Sequence, residues 1–326
     1  MSSAPPQPSL ASEMDPTVRS FLDALAAQNG PPIYSLSAYQ ARGVLEGAQA
    51  GPVDKFEADI EDLEIEGGPT GTVSLRIVKP VGAGAKLPVV LYFHGGGWVL
   101  GGKNTHDRLV RELAVGANVA VVFVDYTLSP EARYPTAIEQ GFAALQWVAS
   151  NGTEKGLDAS RIAIAGDSAG GNLATAVAMV SKNQSGTELK FQLLFYPVTD
   201  ANFDTPSYLD FAEGYFLERK GMMWFWDNYA PDPESRQEPL VSPLRASREQ
   251  LSGLPETLII TGGWDVLRDE GQAYARRLME AGVQTTATLY PDTMHDFVML
   301  NVLSQTPAAR SAIAQANDHL KRLLHT

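Results

Sequence analysis

Apolar positions change their period twice along the chain, and each change predicts a different kind of element. Between Asp15 and Gln28 they fall at Val18, Phe21, Leu22 and Leu25, the spacing of one helix face, with Asp15-Pro16 suited to an N-cap and first helical position. A second helical stretch from about Ser37 to Glu46 follows the break Gly30-Pro31-Pro32, and residues 1 to about 14, rich in Pro, Ser and Gln, read as a loose tail. From Ile60 the period drops to two. Leu63 and Ile65, then Val73, Leu75 and Ile77, alternate with polar residues around Gly67-Gly68-Pro69, which predicts an antiparallel hairpin.

Short apolar runs follow at Pro88 to Phe93, Val119 to Val124, Arg161 to Ala165, Phe191 to Tyr196, Glu256 to Ile260 and Thr285 to Tyr290, most of them separated by helical patterns. Strands alternating with helices imply right-handed crossovers, so the expected fold class is α/β, a mostly parallel sheet covered by helices on both faces. One interval, Asp200 to Gln250, shows no strand pattern, carries Trp224, Phe225, Trp226 and Tyr229, and holds Pro206, Pro231, Pro233, Pro239 and Pro243. It reads as an insertion that joins the N-terminal helices. Aromatics at this spacing often serve packing alone, but a lid over an apolar pocket needs the same surface.

At 326 residues, 44% hydrophobic and 19% charged, the chain is long and apolar enough for a sizeable core, which argues against disorder or a coiled coil. The formal charge of −13 disfavours nucleic acid and anionic membrane surfaces as partners and points to a small neutral or hydrophobic ligand, leaving a homodimer open. Absence of cysteine removes disulfides, thiolate metal sites and a cysteine nucleophile together. The opening MSSAPPQPSLASEMDP lacks the basic start and apolar stretch of a secretion signal, and the uncharged run from Leu87 to Gly102 is too short and Gly-rich to span a bilayer. A cytoplasmic protein is the expectation.

Chemistry enters at Gly166-x-Ser168-x-Gly170, which follows the strand pattern ending at Ala165 and opens a helical one. A serine on so sharp a strand-to-helix turn projects its hydroxyl above the sheet, whereas the bland reading is a Gly-rich helix start. His94-Gly95-Gly96-Gly97-Trp98 follows the strand ending at Phe93 and places a run of backbone amides where they can face an oxyanion. Each such donor is worth about 3 to 4 kcal/mol in the transition state. The competing phosphate-loop pattern, Gly97 to Gly102-Lys103-Asn104, fails at Asn104, where a Ser or Thr hydroxyl is needed for magnesium.

A serine hydroxyl needs a base, and the chain has five histidines: His94, His106, His295, His319 and His325. His319 and His325 lie in the terminal helix, His94 belongs to the glycine loop and His106 opens the next helix, which leaves His295, after the strand ending at Tyr290. The orienting acid is expected on the loop after the preceding strand, where Asp265 comes first; Asp269 and Glu270 fall in the first turn of the following helix, where acids are ordinary macrodipole partners. The order Ser168, Asp265, His295 is that of α/β-hydrolases.

With these motifs the sequence resembles the hormone-sensitive lipase family of α/β-hydrolase carboxylesterases, through HGGGW at 94–98, GDSAGGNLA at 166–174, DVLRDEG at 265–271 and HDF at 295–297. The resemblance implies Ser168 as nucleophile, Asp265 as acid and His295 as base, with an oxyanion hole from the amides of Gly95, Gly96, Gly97 and Ala169. It also implies cap helices in residues 1–50, a first core segment at 51–199, a cap insertion at 200–250 and a second core segment at 251–326. The chain departs from the family in having Val266 where Pro is usual after the acid, and Thr127 and Ser129 where Arg and Ala are usual. Loss of that arginine is expected to loosen the loop beside the site. Asp167 is expected to hydrogen-bond the surrounding loops.

The expected activity is hydrolysis of short to medium acyl esters through a serine acyl-enzyme, with no metal or organic cofactor, since zinc-ligand spacing and a dinucleotide fingerprint are both missing. A neutral-imidazole requirement places the rise of activity with pH at an apparent pKa of roughly 6 to 7.5. Alternatives are an amidase or lactonase using the same triad, or a non-enzymatic receptor on the same fold, against which His295 counts.

Overall fold

The computed structural model describes residues 14–84, 86–184 and 186–325. Two helices come first, α1 (Pro16–Ala27) and α2 (Ala38–Gln49), then β1 (Ala58–Glu66), β2 (Thr72–Pro80), β3 (Leu87–Phe93), α3 (Asp107–Ala117), β4 (Ala120–Asp125), α4 (Thr136–Asn151), β5 (Leu157–Asp167), α5 (Ala169–Gln184) and β6 (Leu189–Phe195). After these lie α6 (Pro206–Asp210), α7 (Arg219–Tyr229), α8 (Arg248–Leu251), β7 (Glu256–Trp264), α9 (Arg268–Glu280), β8 (Thr285–Met294) and α10 (Pro307–Leu324). The tail expected over residues 1 to about 14 lies outside the described residues, apart from Met14, which is buried.

Among the described residues the strands form one sheet in the order β1-β2-β4-β3-β5-β6-β7-β8. The alternating hairpin pairs β1 and β2 antiparallel, β2 also meets β4 antiparallel, and every later pairing is parallel, as continuous apolar runs require. All seven residues of β3 are buried, and α3 with α10 and α4 with α5 pack as pairs against the sheet. No helix among the described residues is long and apolar enough to cross a membrane.

Asp15 caps α1 through its carboxylate, which accepts from the amides of Thr17 at 2.7 Å and Val18 at 3.3 Å. Between β6 and β7 the chain is helical or irregular, with no strand from 200 to 250. The N-terminal helices meet this interval: the rings of Phe21 and Phe216 are 5.8 Å apart, and Ile33 lies against α7 beside Gly221.

Candidate active site

Ser168, Asp265 and His295 each follow directly on the carboxyl end of a parallel strand, β5, β7 and β8 respectively, where open α/β sheets place their ligands. β7 runs on to Trp264 and β8 to Met294, beyond the ends expected at Ile260 and Tyr290. Their pairing shifts register between Gly262 and Trp264, so each side chain emerges from ladder rather than from a free loop.

Ser168 holds a left-handed φ of 54°, a conformation that costs energy in a non-glycine residue. The turn is over-determined from its surroundings: the Ser168 amide donates to Phe195 O at 2.9 Å, and its carbonyl accepts from Val198 and Asn172 amides at 3.1 and 3.2 Å. Gly170 is fixed by close approach, since a Cβ there would stand 2.0 Å from Phe93 O.

The three side chains form a continuous relay. His295 Nε2 lies 2.9 Å from Ser168 Oγ, His295 Nδ1 lies 2.8 Å from Asp265 Oδ2, and Asp265 Oδ1 accepts the Leu267 amide at 2.9 Å. Exposures of 4% for Ser168, 1% for Asp265 and 2% for His295 put the relay out of bulk water. Burial alone lowers the pKa of the imidazole, but the charges of Asp265 and Asp296 outweigh it and hold His295 up at about 9. An activity that required the neutral imidazole would therefore rise with pH above the window of roughly 6 to 7.5 that an unperturbed histidine gives. The arrangement can pass a proton from a serine hydroxyl to an imidazole whose tautomer is set by a carboxylate.

The glycine loop is coupled to this relay through Asp167, which is fully buried. Its Oδ1 accepts from Tyr92 OH at 2.6 Å and from the Gly95 amide at 3.0 Å, and its Oδ2 faces His106 Nε2 at 3.2 Å. Burial opposes its charge, but the attraction and hydrogen bond of His106 and the bond from Tyr92 hold the carboxyl below its usual range. The expected loop-bonding role of Asp167 is what the structure contains. One expectation is corrected by the same contact: the Gly95 amide is committed to Asp167 and is not free for an oxyanion. Among the described residues, no acceptor takes the amides of Gly96, Gly97 or Ala169.

Helix α7 packs directly on this loop. A Cβ on Gly97, whose φ is +60°, would meet the Phe225 ring at 2.1 Å. Trp98 stacks on Tyr229 at 4.3 Å between ring centroids and meets Trp226 edge-on at 4.9 Å. The remaining histidines stand apart from the relay: His94 is stacked between Tyr126 and Phe123, His319 bonds Gln315 O and His325 bonds Ala117 O.

Three contributors escaped the sequence. Arg42 of α2 donates to Val99 O at 2.8 Å, to Ser129 O at 3.0 Å and to both Glu131 oxygens at 2.9 and 2.6 Å. The loop that lacks the family's arginine is therefore tethered by an arginine from elsewhere, not loosened. Glu270 is no surface macrodipole partner: it is 1% exposed, and its Oε1 accepts the amides of Thr199 and Asp200 at 2.6 and 3.2 Å. Asp296 is buried beside His295, and burial pushes its carboxyl up to about 6 despite the opposing pull of His295.

A family profile described as alpha/beta hydrolase fold matches residues 90–299. Over 318 residues, 96% of this chain and 97% of the relative, the sequence is 38% identical to a carboxylesterase, NlhH, of Mycobacterium tuberculosis. It is 35% identical to an ethyl acetate hydrolase of Pseudomonas putida, over 88% of this chain and 92% of that protein. Among solved structures, a thermostable esterase from Pseudomonas putida superposes with a TM-score of 0.94 at 48% identity, covering 98% of this chain and 99% of that one.

Proposed function

This chain belongs to the α/β-hydrolase family, in its hormone-sensitive lipase-like group of esterases, and from that premise we propose that it is a carboxylesterase cleaving short and medium acyl esters through a serine acyl-enzyme. The observation that carries the reading is the unbroken relay from Ser168 Oγ through His295 to Asp265.

In the first half-reaction Ser168 Oγ attacks the ester carbonyl carbon while His295 Nε2 takes its proton, and Asp265 steadies the resulting imidazolium. The carbonyl oxygen becomes an oxyanion received by the amides of Gly96, Gly97 and Ala169, which are fixed before the reaction starts and need no reorganisation. Collapse of the intermediate breaks the bond to the alcohol oxygen, which leaves with the proton from Nε2. In the second half, water gives a proton to Nε2 and its oxygen attacks the acyl carbon. The carboxylic acid departs and Ser168 recovers its proton.

Residues 16–49 and the helices between 200 and 250 serve in this reading as a lid, supported by the contact of α7 with Gly97 and Trp98 and by the burial of the relay. An aromatic lid closing on the glycine loop gives a bounded apolar pocket, so kcat/KM falls for long acyl chains. The deciding experiment is hydrolysis of acetyl to palmitoyl aryl esters, with matched amides and lactones, by wild type and Ser168→Ala. Ester turnover that vanishes in Ser168→Ala and declines beyond medium chains is expected. Preference for amides or lactones, or turnover surviving in Ser168→Ala, would overturn it.

A further inference from the structure

Asp296 is a buried carboxylate directly beside the relay that has no task in the reaction described above. It is 7% exposed and holds a left-handed φ of 61°, a backbone state that aspartate and asparagine both accept readily. Its Oδ1 stands 3.4 Å from His295 Nε2, within ion-pair reach but without a hydrogen bond, and among the described residues that oxygen has no hydrogen-bond partner. Leaving a buried carboxylate oxygen unpaired is costly, so its surroundings are incomplete until something else faces it.

Nε2 is also the atom that must hand a proton to the departing alcohol oxygen. Proton transfer needs that oxygen within about 3 Å of Nε2. The first atoms of the alcohol are then held within roughly 7 Å of Asp296 Oδ1, in a region where a unit charge acts with little screening. Other charged or titratable groups that act on Asp296 are His295, Asp265, Asp167 and His106, together with the phenols of Tyr196 and Tyr92. Asp265 and Asp167 have hydrogen-bonded partners for their oxygens; the Oδ1 of Asp296 does not.

We propose that Asp296 is a specificity-determining residue that selects esters by the charge on the leaving alcohol: its carboxylate, whose Oδ1 lies beside His295 Nε2 without a hydrogen bond, excludes alcohols bearing a carboxylate and favours neutral or cationic ones. The proposal rests on the esterase reading of the site. Burial raises the Asp296 carboxyl only to about 6, so it is ionised at mildly alkaline pH, where the selection operates.

The test uses three aryl acetates with one geometry: meta-carboxyphenyl, meta-carbamoylphenyl and meta-(trimethylammonio)phenyl acetate. They are assayed at about pH 8 in about 0.5 M salt, which screens steering by the net charge of −13 and leaves the short-range effect. Active enzyme is counted by organophosphate titration of Ser168. We expect wild type to prefer the cationic over the anionic ester by about tenfold or more in kcat/KM. Asp296→Glu keeps that ratio and Asp296→Asn, which retains the backbone preference, brings it toward one. Asp296→Ser replaces the Asn variant if the latter does not titrate. A wild-type ratio near one, or a neutral variant that keeps the wild-type ratio, overturns the proposal. Titratable wild type that leaves even the carbamoyl ester untouched brings down the esterase reading instead, and the proposal with it.

Discussion

Asp167, one residue before Ser168, and Asp296, one residue after His295, are both buried, yet their surroundings treat them oppositely. Asp167 is surrounded by Tyr92, the Gly95 amide and His106, and its carboxyl is held below the usual range. Asp296 has an oxygen with no hydrogen-bond partner among the described residues and a carboxyl pushed up to about 6. A buried anion whose oxygens are hydrogen-bonded works as a joint, tying the Ser168 turn to the glycine loop. One left open works through its field on whatever enters next to it.

The largest effect expected lies in the relay that both aspartates flank. Ser168→Ala or His295→Ala lowers kcat by about 10⁴-fold, measured in single-turnover and steady-state assays; a loss under a hundredfold would remove the relay from the centre of the comparison. Next comes the contrast itself. Asp167→Ala strands three donors in the interior and costs about 3 kcal/mol or more of stability in urea unfolding. Asp296→Asn, having no hydrogen bond to lose at Oδ1, costs less than about 1 kcal/mol. Equal losses would mean that the two sites are not different in kind.

The pH profile sharpens the comparison further. Catalysis requires neutral imidazole, and the carboxylates of Asp265, Asp296 and Asp167 favour the charged form, so kcat/KM of wild type is expected to rise with pH through a value near 9 rather than near 7. Removing the Asp296 charge takes away one of the raising influences, leaving those of Asp265 and Asp167, and the midpoint in Asp296→Asn moves down toward the 6 to 7.5 window. An unmoved midpoint would show that Asp296 exerts no field on His295. The smallest effect concerns the glycine loop, which Asp167 holds from the core and Arg42 from α2. Arg42→Met is expected to lower kcat about tenfold with KM little changed, because a small misplacement of the amides weakens only the transition state. A change confined to KM would assign Arg42 to substrate binding.

The relay was legible because each member sits in a short motif directly after a strand pattern, so local sequence carries both its chemistry and its position. The parallel sheet was legible for a similar reason: its buried strands are continuous apolar runs. What escaped depends on reach across the fold. Arg42 looks like one polar residue on a helix, and only the packing of α2 brings it to Val99 and Ser129, residues distant in sequence. Glu270 sits where acids ordinarily face solvent, and its burial follows from α9 closing over the chain after β6. The Gly95 amide was misassigned because a glycine triplet does not reveal which of its donors the protein itself has already taken.

Trp98, clasped between Tyr229 and Trp226 on one side of the glycine loop, also gives the molecule a built-in optical gauge. An indole that is 1% exposed emits from a dry environment, at the blue end of its range. Withdrawal of α7 would hydrate that ring and shift its emission to the red at the moment the amides beside it become accessible. Difference fluorescence against a Trp98→Phe variant would therefore report such a withdrawal in the unlabelled protein, on the same clock as turnover.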